Sequence, residues 1–195
     1  MKVTPSIEKA FGTWLRHFRS FIESEKFDNL FKFLKSQSAT GRQIIPNWEN
    51  VFKSFELCDA DKLKAIVVLM DPYPSYKDDK MIANGIPLDC SSTGIIQPSL
   101  ELWHLALENE SVGFHPSYDN GPDISYLLTR EHVLLLNSSL TVERDKPGSH
   151  FQQWVPFMKF FFEEVLQAFS GIPIVLCGSQ AQKFEKSINT LQNYV

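Results

Sequence analysis

Ile66-Val67-Val68-Leu69-Met70-Asp71-Pro72-Tyr73 runs five apolar residues directly into a carboxylate, a proline and an aromatic ring. An unbroken apolar run of this length, closed by turn residues, reads as a parallel strand buried on both faces. In open α/β sheets, ligands bind outside the carboxyl ends of the strands. Asp71 therefore stands where chemistry is expected, with Pro72 stiffening the turn and Tyr73 available as a wall. The same residues also fit an Asp that closes a strand and opens a turn, as Asp-Pro often does.

Two further runs repeat the pattern. Val133-Leu134-Leu135-Leu136 ends at Asn137, and Pro173 to Cys177 ends at Gly178-Ser179. A helical pattern follows each strand. Pro98-Ser99 opens a helix with Leu100, Leu102, Trp103, Leu105 and Leu107; the second carries Trp154, Phe157, Phe161, Val165 and Phe169; the third carries Ala181, Phe184 and Ile188. Strand–loop–helix repeated three times predicts a three-layer α/β/α domain around a central parallel sheet.

Upstream, Thr4-Pro5 marks a helix start, and Ile7, Phe11, Trp14, Leu15, Phe18, Phe21 and Ile22 recur at helical spacing. Phe27, Leu30, Phe31 and Leu34 predict a second helix. Gly41 and Pro46 bound a loop, and Trp48, Val51, Phe52 and Phe55 suggest a short third helix. The stretches Asp71–Gln97 and Ser138–Phe151 are irregular, and loops this long inside a compact domain tend to be functional.

The 195 residues fit one domain, and 43% hydrophobic content with sixteen Phe provides for a ring-rich core. A net charge of −4 argues against a strongly basic nucleic-acid coat, though backbone amides and hydroxyls can still grip a few phosphates. Cys58, Cys90 and Cys177 lie far apart without CxxC spacing, which supports no disulfide framework, zinc site or iron–sulfur cluster. No metal or other cofactor is expected. The cysteine usage suits a reducing compartment, and neither a signal-peptide layout nor a run of membrane-spanning length is present. An intracellular protein, cytoplasmic or nuclear, with no membrane association is the expectation.

Three strand ends thus supply a carboxylate, a side-chain amide and a glycine–hydroxyl turn. An amide pairs a donor with an acceptor, as reading a nucleobase edge requires. A Gly-Ser turn at a helix N-terminus can hold phosphate through backbone N–H groups and the hydroxyl. His17 and His104 fall on helices and read as structural or surface residues, and no histidine pair has metal-ligand spacing. No G-x-S-x-G elbow, Walker loop or G-x-G-x-x-G turn occurs.

These residues resemble the common uracil-DNA glycosylase family. Its Gly-Gln-Asp-Pro-Tyr-His motif corresponds to Leu69-Met70-Asp71-Pro72-Tyr73-Pro74, and its Gly-Leu-Ala-Phe-Ser segment to Gly85-Ile86-Pro87-Leu88. A proline-rich loop ending Pro-Ser-Leu matches Gln97-Pro98-Ser99-Leu100. Leu134-Leu135-Leu136-Asn137, Leu140-Thr141-Val142, Ser149-His150, Trp154 and Cys177-Gly178-Ser179-Gln180-Ala181-Gln182-Lys183 continue the match in order, and Trp14, Phe33-Leu34, Ile45-Pro46 and Phe52 extend it upstream.

The resemblance implies hydrolysis of the N-glycosidic bond of uracil in DNA. Asp71 would be the catalytic carboxylate, Asn137 the residue that bonds the uracil edge, and Tyr73 the ring that excludes a thymine methyl. Met70 and Leu88 would border the base, while Ser99, Gly178 and Ser179 would contact the DNA backbone. Uracil-containing DNA would be the partner.

The chain also departs from the family. Gln is Met70, His is Pro74, and the stacking ring is Leu88, which leaves two readings: Leu88 as a poorer apolar floor, or Tyr76 nearby in the ring's place. The family continues to a fourth strand and a His-Pro-Ser-Pro-Leu segment. Residues 1–195 are therefore read as one domain, incomplete at its C-terminal end, whose sheet edge a missing segment or a protein partner would cover. His115-Pro116-Ser117 has that segment's composition but precedes the second strand, and reads as a decoy. The alternative function is a catalytically weak or inactive glycosylase-fold module that binds nucleic acid or protein.

Overall fold

The structure, a computed structural model, describes residues 2–109, 121–190 and 192–195. The helices are α1 (Pro5–Phe11), α2 (Leu15–Ile22), α3 (Glu25–Ala39), α4 (Lys53–Leu57), α5 (Pro98–Asn109), α6 (Tyr126–Thr129), α7 (Phe151–Glu163) and α8 (Gly178–Gln182). The strands are β1 (Ile44–Ile45), β2 (Ala65–Leu69), β3 (Tyr76–Lys77), β4 (Lys80–Met81), β5 (Val133–Asn137), β6 (Val142–Glu143) and β7 (Ile174–Leu176). His115-Pro116-Ser117 lies outside the described residues.

The three sequence-predicted strands form one parallel sheet in the order β5-β2-β7. Consecutive strand residues point to opposite faces, so the burial of Ile66, Val67 and Val68 in β2 and of Leu134, Leu135 and Leu136 in β5 means that both faces are covered. The expected α/β/α layering follows. At β7 the cover thins, and Val175 is half exposed. The outer edge of β7 gains a parallel bridge, Pro173 to Tyr194, in which the Ile174 N–H donates to the Tyr194 carbonyl at 2.7 Å.

Chain order sets the site. β2 comes first, β5 joins one side of it and β7 later joins the other. The strand order therefore reverses at β2, and the carboxyl end of β2 is a topological switch point where a crevice opens. Asp71 lies two residues past that end.

The helical layer is packed with rings. Phe18 lies 5.1 Å from Phe11, 5.2 Å from Phe55 and 5.1 Å from Phe157 by ring centroids, and all four are buried. Thr4 caps α1, accepting from the Ile7 N–H, and Ser24 caps α3. The N-terminal periodicity, readable as one long helix, is broken at Gly12: its φ of 49° ends α1, and a short 3-10 turn leads into α2.

The loops expected to be irregular carry short pairings. β3 and β4 form a hairpin inside the 71–97 stretch, and β1 pairs antiparallel with β6 across the segment expected to be loop at 41–46. Two-residue strands are too short to show a period of two, which is why the pattern missed them.

Candidate active site

Adjacent parallel strands set the first distance. Leu69 pairs with Asn137 across β2 and β5, and the N–H groups of Ser138 and Ser139 donate to the carbonyls of Leu69 at 2.8 Å and Met70 at 3.1 Å. The ladder thus continues past both strands and fixes Asp71 relative to Asn137. Both side chains line one cavity of about 240 Å³, whose walls include Met70, Tyr73, Leu88 and Ser99. Six of the eight site residues expected from sequence therefore meet in one small chamber.

Asn137 is 5% exposed, yet among the described residues no hydrogen bond engages its carboxamide. Its amide atoms are not among the enclosed unpartnered groups, so the polar end is the part of the residue that stays accessible. That end keeps its donor and acceptor free toward the cavity.

Asp71 is half-buried, and one carboxylate oxygen accepts from the Gly148 N–H at 2.6 Å. Burial pushes its carboxyl above the usual carboxylate range, while the Gly148 bond favours the ionised form and opposes that rise. Gly148 has φ 75° and ends a turn in which the Ser149 hydroxyl accepts from the Glu143 N–H. The turn rests on a buried network. Trp154 donates to the Thr141 hydroxyl at 2.8 Å, and His150 meets the same hydroxyl at 3.0 Å. Burial lowers the pKa of His150, which packs edge-on to Phe33 and does not line the cavity.

The other wall is the 85–90 segment. Gly85 has φ 96°, and an added Cβ would meet the Asn50 carbonyl oxygen at 2.1 Å, so only glycine lets this segment seat on the turn before α4. Leu88 takes a left-handed φ of 65°, which non-glycine residues seldom adopt outside functional or tightly held sites. Asp89 ties the segment down: fully buried, it accepts from Asn84 at 2.6 Å, from the Ser91 N–H at 2.9 Å and from the Ile124 N–H at 2.9 Å. The Tyr73 hydroxyl reaches the Leu88 carbonyl at 3.4 Å and the Ser99 hydroxyl at 2.7 Å, and burial raises its pKa.

Tyr76 is a correction. It does not line the cavity; its ring packs beside Ile45 and Val142 and under the Arg144 guanidinium at 4.4 Å. Besides Tyr73, the aromatic residue that lines the cavity is Phe55 of α4, joined by Val51 and Ser54. Sequence reading assigned Phe55 and Val51 to a helical stripe; nothing in that periodicity distinguishes a ring facing the core from one that also borders a cavity. Gly148 and Pro147 were missed for the same reason, since loop residues carry no period.

Gly178 and Ser179 stand apart. They are exposed at the start of α8, just past β7, and do not line the cavity. They lie at the same carboxyl edge of the sheet as the end of β2, where the Cys177 N–H donates to the Val68 carbonyl at 2.8 Å. No cluster of three metal-ligating side chains, and no helix long and apolar enough to cross a membrane, occurs among the described residues.

The fold is that of a base-excising glycosylase. It superimposes on the crystal structure of mimivirus uracil-DNA glycosylase with a TM-score of 0.84 at 18% identity, covering 99% of this chain and 69% of that one. No family model matches the sequence. The sequence is 31% identical over 187 residues to the uracil-DNA glycosylase of Amoebophilus asiaticus, spanning 94% of this chain and 80% of that protein. It is 27% identical over 186 residues to that of Francisella tularensis, with the same coverage. The chain belongs to the uracil-DNA glycosylase family.

Proposed function

We infer that the protein hydrolyses the N-glycosidic bond of uracil in DNA, the first step of base-excision repair. The observation that supports this reading is the shared cavity: a half-buried carboxylate and a carboxamide with no hydrogen bond among the described residues line one space of about 240 Å³. A base reaches such a chamber only by leaving the stack, at a cost of a few kcal/mol.

Cleavage builds positive charge on the sugar and negative charge on the departing base. Asp71, ionised with help from the Gly148 N–H, orients the attacking water and stabilises the cationic sugar. Asn137 offers its amide donor to the uracil O4 and its acceptor to N3–H, the reverse of the order that cytosine requires. Tyr73 closes the side where a 5-methyl group would enter, with Leu88 and Phe55 as apolar walls and Met70 beside them. Ser99, Gly178 and Ser179 contact the DNA backbone from the rim.

The test is a single-stranded oligonucleotide carrying one uracil, incubated with protein and then treated with alkali. Strand breaks at the uracil are expected, with a loss of roughly 10²–10⁴ in rate for Asp71→Asn. An inactive wild-type protein, or an unchanged Asp71→Asn rate, would reject the reading.

A further inference from the structure

We propose that Ser99 is a positioning residue that works through Tyr73, so that contact with the DNA backbone and exclusion of 5-substituted bases are one coupled device. The inference rests on the glycosylase reading above and deepens it.

The geometry is a short hydroxyl–hydroxyl contact on a phenol, with a carbonyl as a second, more distant acceptor. The Tyr73 ring lines the cavity from the turn after β2, while Ser99 sits in the first turn of α5. Their hydroxyl oxygens are 2.7 Å apart, and the Leu88 carbonyl lies 3.4 Å from the same phenol oxygen on the residue with the left-handed backbone. The single phenol proton serves one of these two acceptors at a time, and the 2.7 Å contact with Ser99 is the shorter, so the ring is tied to the α5 loop and its face toward the base cannot swing without breaking that bond.

Donor chemistry gives the direction. A phenol is a stronger proton donor than an aliphatic hydroxyl, so Tyr73 donates and Ser99 accepts. Each has one proton. Once Ser99 accepts from Tyr73, its own proton remains free for an anionic oxygen, and a chain runs from phenol to hydroxyl to phosphate. Bonds in such chains polarise one another, and a bond to an ionised acceptor is stronger than a neutral one. Ser99 is exposed in the free protein, where water competes for both partners. A DNA strand across the rim excludes that water and supplies the anion, which tightens the hold on Tyr73 as the base enters. Selectivity against a 5-substituent then rises with backbone contact.

A double-mutant cycle decides it. Ser99→Ala, Tyr73→Phe and the double variant are assayed for kcat/KM on single-stranded DNA carrying uracil or 5-fluorouracil. Each single change is expected to lower the uracil-to-fluorouracil ratio roughly three- to tenfold, with the double variant no worse than either and Ser99→Thr restoring the ratio. Equal losses on both bases in Ser99→Ala, or additive losses in the double variant, would overturn the coupling. A second measurement does not depend on activity. With 3-fluorotyrosine incorporated, the fluorine resonance that vanishes in Tyr73→Phe is expected to shift in Ser99→Ala and return in Ser99→Thr. A resonance indifferent to Ser99 would sink the proposal even in an active enzyme, whereas a wild-type protein without excision activity would reject the glycosylase reading and leave the fluorine result to judge the Ser99–Tyr73 link.

Discussion

The ring-packed helical layer and the cavity rim are built on opposite principles. Around Phe18 the contacts are ring on ring, with Phe11, Phe55, Phe157 and Phe161 all within 6.1 Å by centroid, and position is set by filling space. Asp71 and Asn137 border an open cavity instead of being enclosed by rings, and position there is set by backbone: ladder bonds, a Gly148 amide and left-handed turns at Gly85 and Leu88. Stability is concentrated in the first region and chemistry in the second, so substitutions in the two should separate cleanly.

The largest expected effect on the fold is at the core. Phe18→Ala removes a fully buried ring and should destabilise by about 3–5 kcal/mol in urea unfolding, while kcat of the folded fraction stays near wild type. A loss of kcat as large as the loss of stability would erase the distinction.

Gly85→Ala probes the boundary between the regions. Its methyl group would overlap the Asn50 carbonyl and strain a φ of 96°, pushing the wall segment off α4. A loss of about 1–3 kcal/mol in stability is expected, with a raised KM for uracil-containing DNA. Unchanged KM would mean that the wall does not shape the pocket.

The smallest effect has the opposite sign. Burial raises the Asp71 pKa, so the folded state holds this proton to higher pH than the unfolded chain does, and stability contributed at this residue falls as pH rises through that window. Asp71→Asn should therefore melt slightly above wild type at pH 7, and the gain should fade below about pH 4, where the unfolded carboxyl is also protonated. An Asn variant that melts lower at pH 7 would show that the carboxylate stabilises the fold. The same upward shift puts the acid limb of the pH–rate profile above the usual carboxylate range.

Local pattern carried much of this. The apolar runs ending at Met70, Asn137 and Cys177 marked the sheet, and the α7 rings at Trp154, Phe157 and Phe161 fell on one buried face. Order along the chain, through the motifs around Asp71, Ser99 and Asn137, carried the family. What escaped was non-local. The β1–β6 pairing joins residues far apart in sequence, the Gly148 amide finds Asp71 only in three dimensions, and Phe55 lies on a stripe that serves core and cavity at once. Tyr76 looked like a substitute ring because it is close in sequence, but the hairpin at β3 carries it to another cluster.

The Leu69–Asn137 rung acts as a ruler. Asp71 and Val133 are far apart along the chain, yet the separation of Asp71 and Asn137 is measured by hydrogen-bonded strands and not by the residues between them. Deleting one residue within β5 would turn every following side chain to the opposite face of the sheet, and Asn137 would lose its view of the chamber while the protein still folded.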